Sequence, residues 1–185
     1  MASADGHLLD DVLTPGLRVV FCGTALGEAS ARAKAYYAGP GNAFWATLHE
    51  TGLTPRRLRP DEYRRLPEFG IGLTDICKVR SGSDEAVGTD AFDAGRLVAQ
   101  LERARPVWLA FNGKNAARGA LGRPIDYGVQ RDRLAGTRVF VLPSTSGAAR
   151  RYWDVGRWQE LAARVRDPAD LPTPTFRAPI SARHR

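Results

Sequence analysis

The sequence predicts a single-domain α/β protein in which helices cover both faces of a central, mostly parallel sheet of four strands. Four short apolar, β-branched runs are candidate strands of this three-layer α/β/α class, at residues 17–22, 71–75, 107–111 and 139–142. Helical patterns separate the runs, which is typical of βαβ units. The length of 185 residues suits one domain with one core.

The first candidate strand and the turn after it form the most informative segment. A Pro-Gly pair precedes residues 17–22, and a glycine-flanked turn occupies residues 23–27. This turn lies at the carboxyl end of a buried parallel strand, where open α/β sheets bind their ligands. The segment therefore predicts one wall of a ligand pocket.

Capping residues and breakers place two helices between the strands. Asn42 is positioned to cap a helix that runs through FWATLHETG and ends at Gly52. A second helix is predicted to begin at Thr89 or Asp90 and to stop before Pro106.

The chain divides into a folded region and two polar ends. Residues 1–8 are predicted to be a flexible N-terminus, residues 9–166 the folded domain, and residues 167–185 a disordered, proline-rich basic tail. No run approaches the roughly 20 apolar residues that a membrane span needs. The N-terminus also lacks the charged start and apolar core of a signal peptide. We therefore expect a cytoplasmic monomer with no membrane partner.

The charge favours a polyanionic partner. The formal net charge is +7, and arginine supplies most of the cations. Cationic side chains neutralise phosphates and release condensed counterions, so DNA is a suitable partner. A solvated, arginine-rich surface explains the same charge equally well.

The two cysteines do not indicate a metal site. Cys22 and Cys77 lie inside apparent strand segments and are not spaced as a ligand framework. Small core residues are the better interpretation than a disulfide, a zinc site or an iron-sulfur cluster. We expect no metal and no cofactor.

Three blocks of sequence carry a family resemblance. They are GTALG at residues 23–27, PGNAFW at residues 40–45 and STSGAAR at residues 144–150. In order and spacing they resemble the Gly-x-Asn-Pro-Gly, Pro-x-Asn-x-Phe-Trp and Asn-Pro-Ser-Gly-x-x-Arg motifs of the mismatch-specific uracil-DNA glycosylase (MUG/TDG) family. The resemblance extends over about residues 13–165 and implies a uracil-DNA glycosylase-like fold. Ala25 stands in place of the family's water-positioning Asn, and Leu26 in place of its Pro.

The resemblance implies an enzyme that flips a base out of DNA into a pocket. By position Tyr37 would stack on the base, with Tyr36 as second choice, although both tyrosines could simply pack the loop. The implied pocket residues are Gly23, Thr24, Ala25, Tyr37, Asn42 and Ser144. The loop that would enter the duplex supplies Ser146, Gly147, Ala148 at the wedge position, and Arg150. Without the resemblance, this loop is only a polar segment.

Asp75 is the candidate catalytic residue. Breaking an N-glycosidic bond needs a group that positions water or stabilises a cationic sugar, and Ala25 can do neither. Asp75 ends the second candidate strand, so its carboxylate can face the rim where the strands finish. A bacterial branch of the family that lacks the Asn carries its acid in a similar Gly-Leu-Thr-Asp segment. The alternative is that Asp75 only caps the next turn.

Three further residues are candidates of lower rank. Glu28 follows the turn and is the second choice of acid, unless it is a solvated residue in the first turn of a helix. Asn112 and Lys114 follow the third candidate strand, where either could donate to a base carbonyl or a phosphate. Asn112 could equally cap the next helix.

The leading hypothesis is a monofunctional DNA glycosylase that removes uracil or another deaminated base by water attack and so initiates base excision repair. No lysine is placed for a Schiff base, so strand cleavage is not expected. Specificity for xanthine or hypoxanthine is one alternative, and a non-catalytic module that flips and holds damaged bases is another. A small-molecule nucleotide-binding protein is a third, but residues 23–27 match neither glycine-rich phosphate-binding pattern.

Overall fold

The computed structural model describes residues 6–170, and its sheet has five strands. These are β1 (Val19–Gly23), β2 (Ile71–Asp75), β3 (Trp108–Asn112), β4 (Gly128–Leu134) and β5 (Thr137–Leu142). Their order is β2-β1-β3-β5-β4, and every pair is parallel except β4 with β5. The predicted α/β class with a mostly parallel sheet is confirmed, whereas the predicted strand number of four is wrong.

The strand that the sequence analysis missed is β4. Its sequence, GVQRDRL, is mostly exposed because β4 lies at an edge of the sheet. Strands are found in sequence by apolar runs or strict alternation, and an edge strand rich in charge has neither. A turn with two residues of positive φ, Ala135 and Gly136, links β4 to β5 as a hairpin.

Six α-helices and four 3-10 helices surround the sheet in the described residues. The α-helices are α1 (Glu28–Ala33), α2 (Phe44–Glu50), α3 (Asp84–Val87), α4 (Ala94–Ala104), α5 (Lys114–Leu121) and α6 (Val155–Arg166). The 3-10 helices are Pro60–Phe69, Thr89–Ala91, Gly147–Tyr152 and Pro168–Asp170. The last of these falls in the predicted C-terminal tail.

The second predicted helix begins later than expected. The Asp93 side chain accepts a hydrogen bond of 2.7 Å from the Arg96 N–H, so Asp93 caps α4. Thr89 and Asp90 belong instead to a separate 3-10 turn. The predicted stop before Pro106 agrees with an α4 that ends at Ala104.

Alternating side chains of β1 separate two hydrophobic cores, as a three-layer fold requires. On one face Phe21 packs against Phe44 of α2 and Trp158 of α6, with ring centroids 5.3 and 5.5 Å apart. On the other face Val20 and Cys22 join a cluster built from α4, α5, β3 and β5. Cys22 and Cys77 are both buried and free.

The segment before β1 covers the free side of β2. Val12 and Leu73 exchange backbone hydrogen bonds of 2.9 and 3.0 Å, and the Leu8 N–H donates to the Lys78 carbonyl. This pairing brings Asp11 close to the end of β2. Predictions for residues 1–5 and 171–185 lie outside the described part of the chain. No helix within residues 6–170 has the length and apolar character needed to cross a membrane.

Candidate active site

The carboxyl ends of β1 and β2 meet at the position of Asp75. Gly23, the last residue of β1, is the register partner of Asp75 in the parallel pair. A Cβ on Gly23 would collide with Asp75 Oδ1 and lie 3.3 Å from the Tyr37 hydroxyl. Glycine at position 23 therefore lets a carboxylate and a phenol approach the same strand end.

Burial makes Asp75 an unusual carboxyl group. The residue is 2 % exposed, and this desolvation raises the pKa of Asp75 to about 6. The negative charge of Asp11 also raises the pKa, while Lys78, Arg96 and the Gly23 backbone lower it. Asp75 can therefore change protonation state close to neutral pH.

The cations beside Asp75 direct their hydrogen bonds to other groups. Lys78 Nζ lies 2.9 Å from Asp11 Oδ1, and Arg96 Nη1 lies 2.7 Å from Asp11 Oδ2. Arg96 Nη2 donates to the backbone carbonyl of Asp75 at 2.5 Å. The Thr74 hydroxyl donates to Asp11 at 2.7 Å. Asp11 thus takes the direct ion pairs, and Lys78 and Arg96 influence the Asp75 carboxylate only through space.

The two neighbouring tyrosines have different environments. Tyr36 is a core residue, 1 % exposed, whose hydroxyl accepts from Lys78 at 2.7 Å and donates to the Asp10 carbonyl at 3.2 Å. Tyr37 is partly exposed and its ring stacks on Phe44 with centroids 3.9 Å apart. The structure therefore brings Tyr37, and not Tyr36, to the predicted pocket beside Gly23 and Asp75.

Asn112 fixes the loop that follows β5. Its Nδ2 donates to Thr145 Oγ1 at 2.9 Å, and its Oδ1 accepts from the Thr145 N–H at 3.0 Å. The Thr145 carbonyl in turn accepts from the Ala43 N–H at 3.0 Å. Asn112 does not cap α5, whose first position is preceded by Gly113. Its role in this structure is to hold the 144–150 loop next to the segment that carries Tyr37.

The residues predicted to contact DNA lie on the exposed side of that loop. Ser146 caps the 3-10 helix Gly147–Tyr152, and both Gly147 and Ala148 are exposed. A Cβ on Gly41 would lie 3.0 Å from an Arg150 guanidinium nitrogen, so Arg150 reaches across to the 37–43 segment. Ser144 Oγ accepts from the Ser146 N–H.

The remaining predicted pocket residues surround the turn after β1. The Thr24 carbonyl accepts from the Cys77 N–H at 2.9 Å, which ties this turn to the chain after β2. Ala25 is partly exposed. Asn42 Oδ1 accepts from the Phe44 N–H at 3.0 Å in the turn that leads into α2, but the N-cap position is Ala43 and not the predicted Asn42. Asn42 and Tyr37 also line an open cleft of about 430 Å³ that includes Arg57.

The other two candidates make their contacts away from Asp75. Glu28 begins α1 with its side chain 74 % exposed, and it lies 3.6 Å from Arg32 one turn later. Lys114 Nζ lies 3.7 Å from Asp126 and 4.4 Å from the Tyr127 ring centre. The described contacts therefore favour the solvated interpretation of Glu28.

Sequence reasoning missed Asp11 and Arg96. Asp11 is 63 positions from Thr74, and Arg96 is 21 positions from Asp75. No local motif joins them, and both are ordinary charged residues at the margins of apolar segments. Asp11 reaches this site because residues 8–12 pair with β2 and the chain after it, and the sequence carries no signal of that pairing.

Comparison with known proteins agrees with the fold. A family model described as the uracil DNA glycosylase superfamily matches residues 11–164, which include all five strands and Asp75. The solution NMR structure of a candidate uracil DNA glycosylase from Methanosarcina acetivorans has a TM-score of 0.64 and 23% sequence identity to this chain. The similarity covers 86% of this chain and 97% of that chain, and it establishes a shared fold.

Proposed function

This chain belongs to the uracil DNA glycosylase superfamily, and from that membership we propose that it is a monofunctional DNA glycosylase that removes uracil or another deaminated base from DNA. The observation that carries the proposal is the buried carboxyl group of Asp75 at the carboxyl edge of the sheet. Ligand sites of open α/β sheets lie at that edge.

In the proposed reaction, Asp75 acts as a general base. Its carboxylate takes a proton from a water molecule, whose oxygen attacks the sugar C1′ while the bond from C1′ to the base nitrogen breaks. The electron pair of that bond leaves with the base, and an abasic sugar remains. A base with a pKa near the working pH suits this role, and the pKa of Asp75 is about 6.

The lysine closest to the site supports hydrolysis without strand cleavage. Lys78 is 5 % exposed and contacts both Asp11 and the Tyr36 hydroxyl. A Schiff base would require this nitrogen to leave both partners and lose its proton. Water attack needs neither change.

The 144–150 loop is the proposed contact to the duplex. Its exposed residues Gly147, Ala148 and Arg150 lie beside the segment that carries Tyr37. Asn112 at the end of β3 holds the loop through its hydrogen bond to Thr145. An exposed loop of small residues can enter a groove, while Arg150 can contact a phosphate. Ala148 is a small wedge, so mispaired or single-stranded bases, which are easier to extrude, are the expected substrates.

The test is cleavage of labelled oligonucleotides that carry uracil, hypoxanthine or xanthine, in single strands and in mispairs, followed by alkali at abasic sites. We expect wild-type protein to cleave at least one substrate and Asp75→Asn to lose about 10²- to 10⁴-fold in single-turnover rate. The wild-type rate should rise with pH through about 6, and the variant should lack that rise.

Glu28→Gln provides the matched comparison, because it neutralises an exposed carboxylate next to the same turn. Its rate is expected to equal that of the wild type. Equal losses in both variants would argue against Asp75 as the base. Tight, salt-dependent DNA binding without cleavage of any substrate would indicate a non-catalytic damage-binding module instead of an enzyme.

A further inference from the structure

Tyr37 carries a buried polar atom that is not hydrogen-bonded. Its hydroxyl oxygen is inaccessible to solvent and has no hydrogen-bond partner among residues 6–170. A buried donor without a partner destabilises a protein because it loses its hydrogen bonds to water, so most such groups are paired. The Tyr37 hydroxyl is therefore an exception that needs a physical reason.

The backbone of Tyr37 is also unfavourable. Its φ is +54°, in the left-handed region that side-chain-bearing residues seldom adopt. Stacking on Phe44, with the two rings inclined by 25°, holds the ring in place. Strain of this kind is concentrated at sites that bind ligands.

The surroundings of the hydroxyl show what it can pair with. It lies against Gly23, beside the Asp75 carboxylate. Asn112 lowers the pKa of Tyr37 as a hydrogen-bond donor beside the phenol oxygen, because only one of its two Nδ2 hydrogens bonds Thr145. A donor there leaves the proton of the phenol without an acceptor. Burial and the charge of Asp75 hold the pKa of Tyr37 well above its ordinary value, so the phenol stays protonated. It can donate a hydrogen bond at neutral pH.

We propose that the Tyr37 hydroxyl donates a hydrogen bond to a carbonyl oxygen of the departing base, and so stabilises the negative charge that the base acquires. The inference rests on the proposed glycosylase function. It assigns to Tyr37 a role beyond stacking, and one face of its ring is already covered by Phe44. The Asp75 carboxylate, through water, would then act on the sugar side of the breaking bond, and the Tyr37 phenol would act on the base side.

The substrate class follows from the direction of this hydrogen bond. Deamination replaces an exocyclic amino group, a donor, with a carbonyl oxygen, an acceptor. A protonated phenol matches the carbonyl, and the match becomes stronger as the electron pair of the broken bond moves onto the base. The site should therefore favour oxo bases, including uracil, hypoxanthine and xanthine, over the amino bases from which they derive.

The experiment compares Tyr37→Phe with wild type on uracil and on 5-fluorouracil in the same oligonucleotide. Fluorine withdraws electrons and makes the base a better leaving group that needs less stabilisation. We expect Tyr37→Phe to lose about 10²-fold in single-turnover rate on uracil and less than about 10-fold on 5-fluorouracil. Tyr37→Leu, which removes ring and hydroxyl, should lose DNA affinity as well.

Thermal stability distinguishes the proposed role of the Tyr37 hydroxyl from a purely structural one. Tyr37→Phe removes an unpaired polar atom and keeps the ring, so its Tm is expected to equal or exceed that of the wild type. Tyr63→Phe, at another buried tyrosine, is the control and should leave the rate on both substrates unchanged.

Each outcome decides the inference. A wild-type protein that cleaves none of uracil, 5-fluorouracil, hypoxanthine and xanthine overturns the proposed function and this inference with it. Cleavage of hypoxanthine or xanthine without cleavage of uracil or 5-fluorouracil keeps the proposed function, and an undiminished rate of Tyr37→Phe on that base then overturns the inference. Active wild type with no loss in Tyr37→Phe, or with equal losses on uracil and 5-fluorouracil, overturns the inference alone.

Discussion

Asp75 and Glu62 are carboxyl groups whose pKa values move in opposite directions, although both have arginine nearby. The pKa of Asp75 is raised to about 6, whereas that of Glu62 is lowered to about 2. Glu62 lies in the 3-10 helix Pro60–Phe69 at the surface, and its carboxylate accepts two hydrogen bonds, of 3.1 and 2.6 Å, from Arg56. The proximity of a cation is therefore not sufficient to fix the ionisation of an acid.

Burial of Asp75 is the main cause of the difference, and the direction of the guanidinium donors is the second. Arg56 donates directly to Glu62, so the charged form gains two hydrogen bonds. Arg96 donates to Asp11 and to the Asp75 main chain, so the Asp75 carboxylate keeps most of its desolvation penalty. A third carboxylate, Asp11, thus takes both ion pairs and leaves the Asp75 carboxyl group without a hydrogen bond from either cation.

Replacement of Lys78, one of the two cations that contact Asp11, should produce the largest change in the free energy of unfolding. Lys78→Met would leave Asp11 with one cation and the Tyr36 hydroxyl without its donor. Breaking a buried ion pair on one side commonly destabilises by about 3–5 kcal/mol, and we expect a loss of about 4–5 kcal/mol in urea unfolding because the Tyr36 hydroxyl also loses its donor. The pKa of Asp75 should rise further, because Lys78 is its largest lowering influence.

Arg59→Met is the matched control, since it breaks the exposed ion pair with Asp61. Its stability is expected to match the wild type within error. If Lys78→Met were as stable as Arg59→Met, the buried cluster would contribute nothing to folding.

Neutralising Asp75 should have the next largest effect, and it should be stabilising. Because the folded pKa of about 6 exceeds the ordinary 3.8, the wild-type fold is favoured at low pH and loses stability as pH rises through 6. Asp75→Asn removes that loss and should exceed the wild type by roughly 3 kcal/mol at pH 8. The two curves should converge below about pH 4, and a less stable variant at pH 8 would contradict the assignment.

Glu62→Gln should show the smallest effect, with the opposite sign. A lowered pKa means that the carboxylate stabilises the fold above pH 4.5 and loses this contribution as pH falls toward 2. The variant should be slightly less stable than the wild type at pH 7 and equal to it at pH 2. Thermal unfolding over that pH range measures the difference, and a variant more stable at pH 7 would exclude the pairing with Arg56.

Four of the five strands could be predicted because buried parallel strands are continuous apolar runs, and β4 could not because an edge strand is charged. The position of Asp75 could be predicted from the end of β2. Its pKa could not, since burial and the contacts among Asp11, Lys78 and Arg96 arise only when distant segments pack.

The same limit applies to Tyr37. Its place in the loop indicates an aromatic that could stack on a base, and the sequence favours that role. The buried hydroxyl and the positive φ are properties of the folded backbone, without a signature in neighbouring residues. Asn112 is similar, because its partner Thr145 is 33 positions away.

The two edges of the sheet are protected against other chains in different ways. At β4 the exposed side chains of residues 131–133 are charged and the register with β5 is irregular, which discourages the addition of another strand. At β2 the backbone pairing of Val12 with Leu73 covers part of the edge. Asp11 belongs to this covering segment. A chain shortened past Asp11 would therefore become prone to strand-to-strand aggregation and lose the anion between Lys78 and Arg96 in the same step.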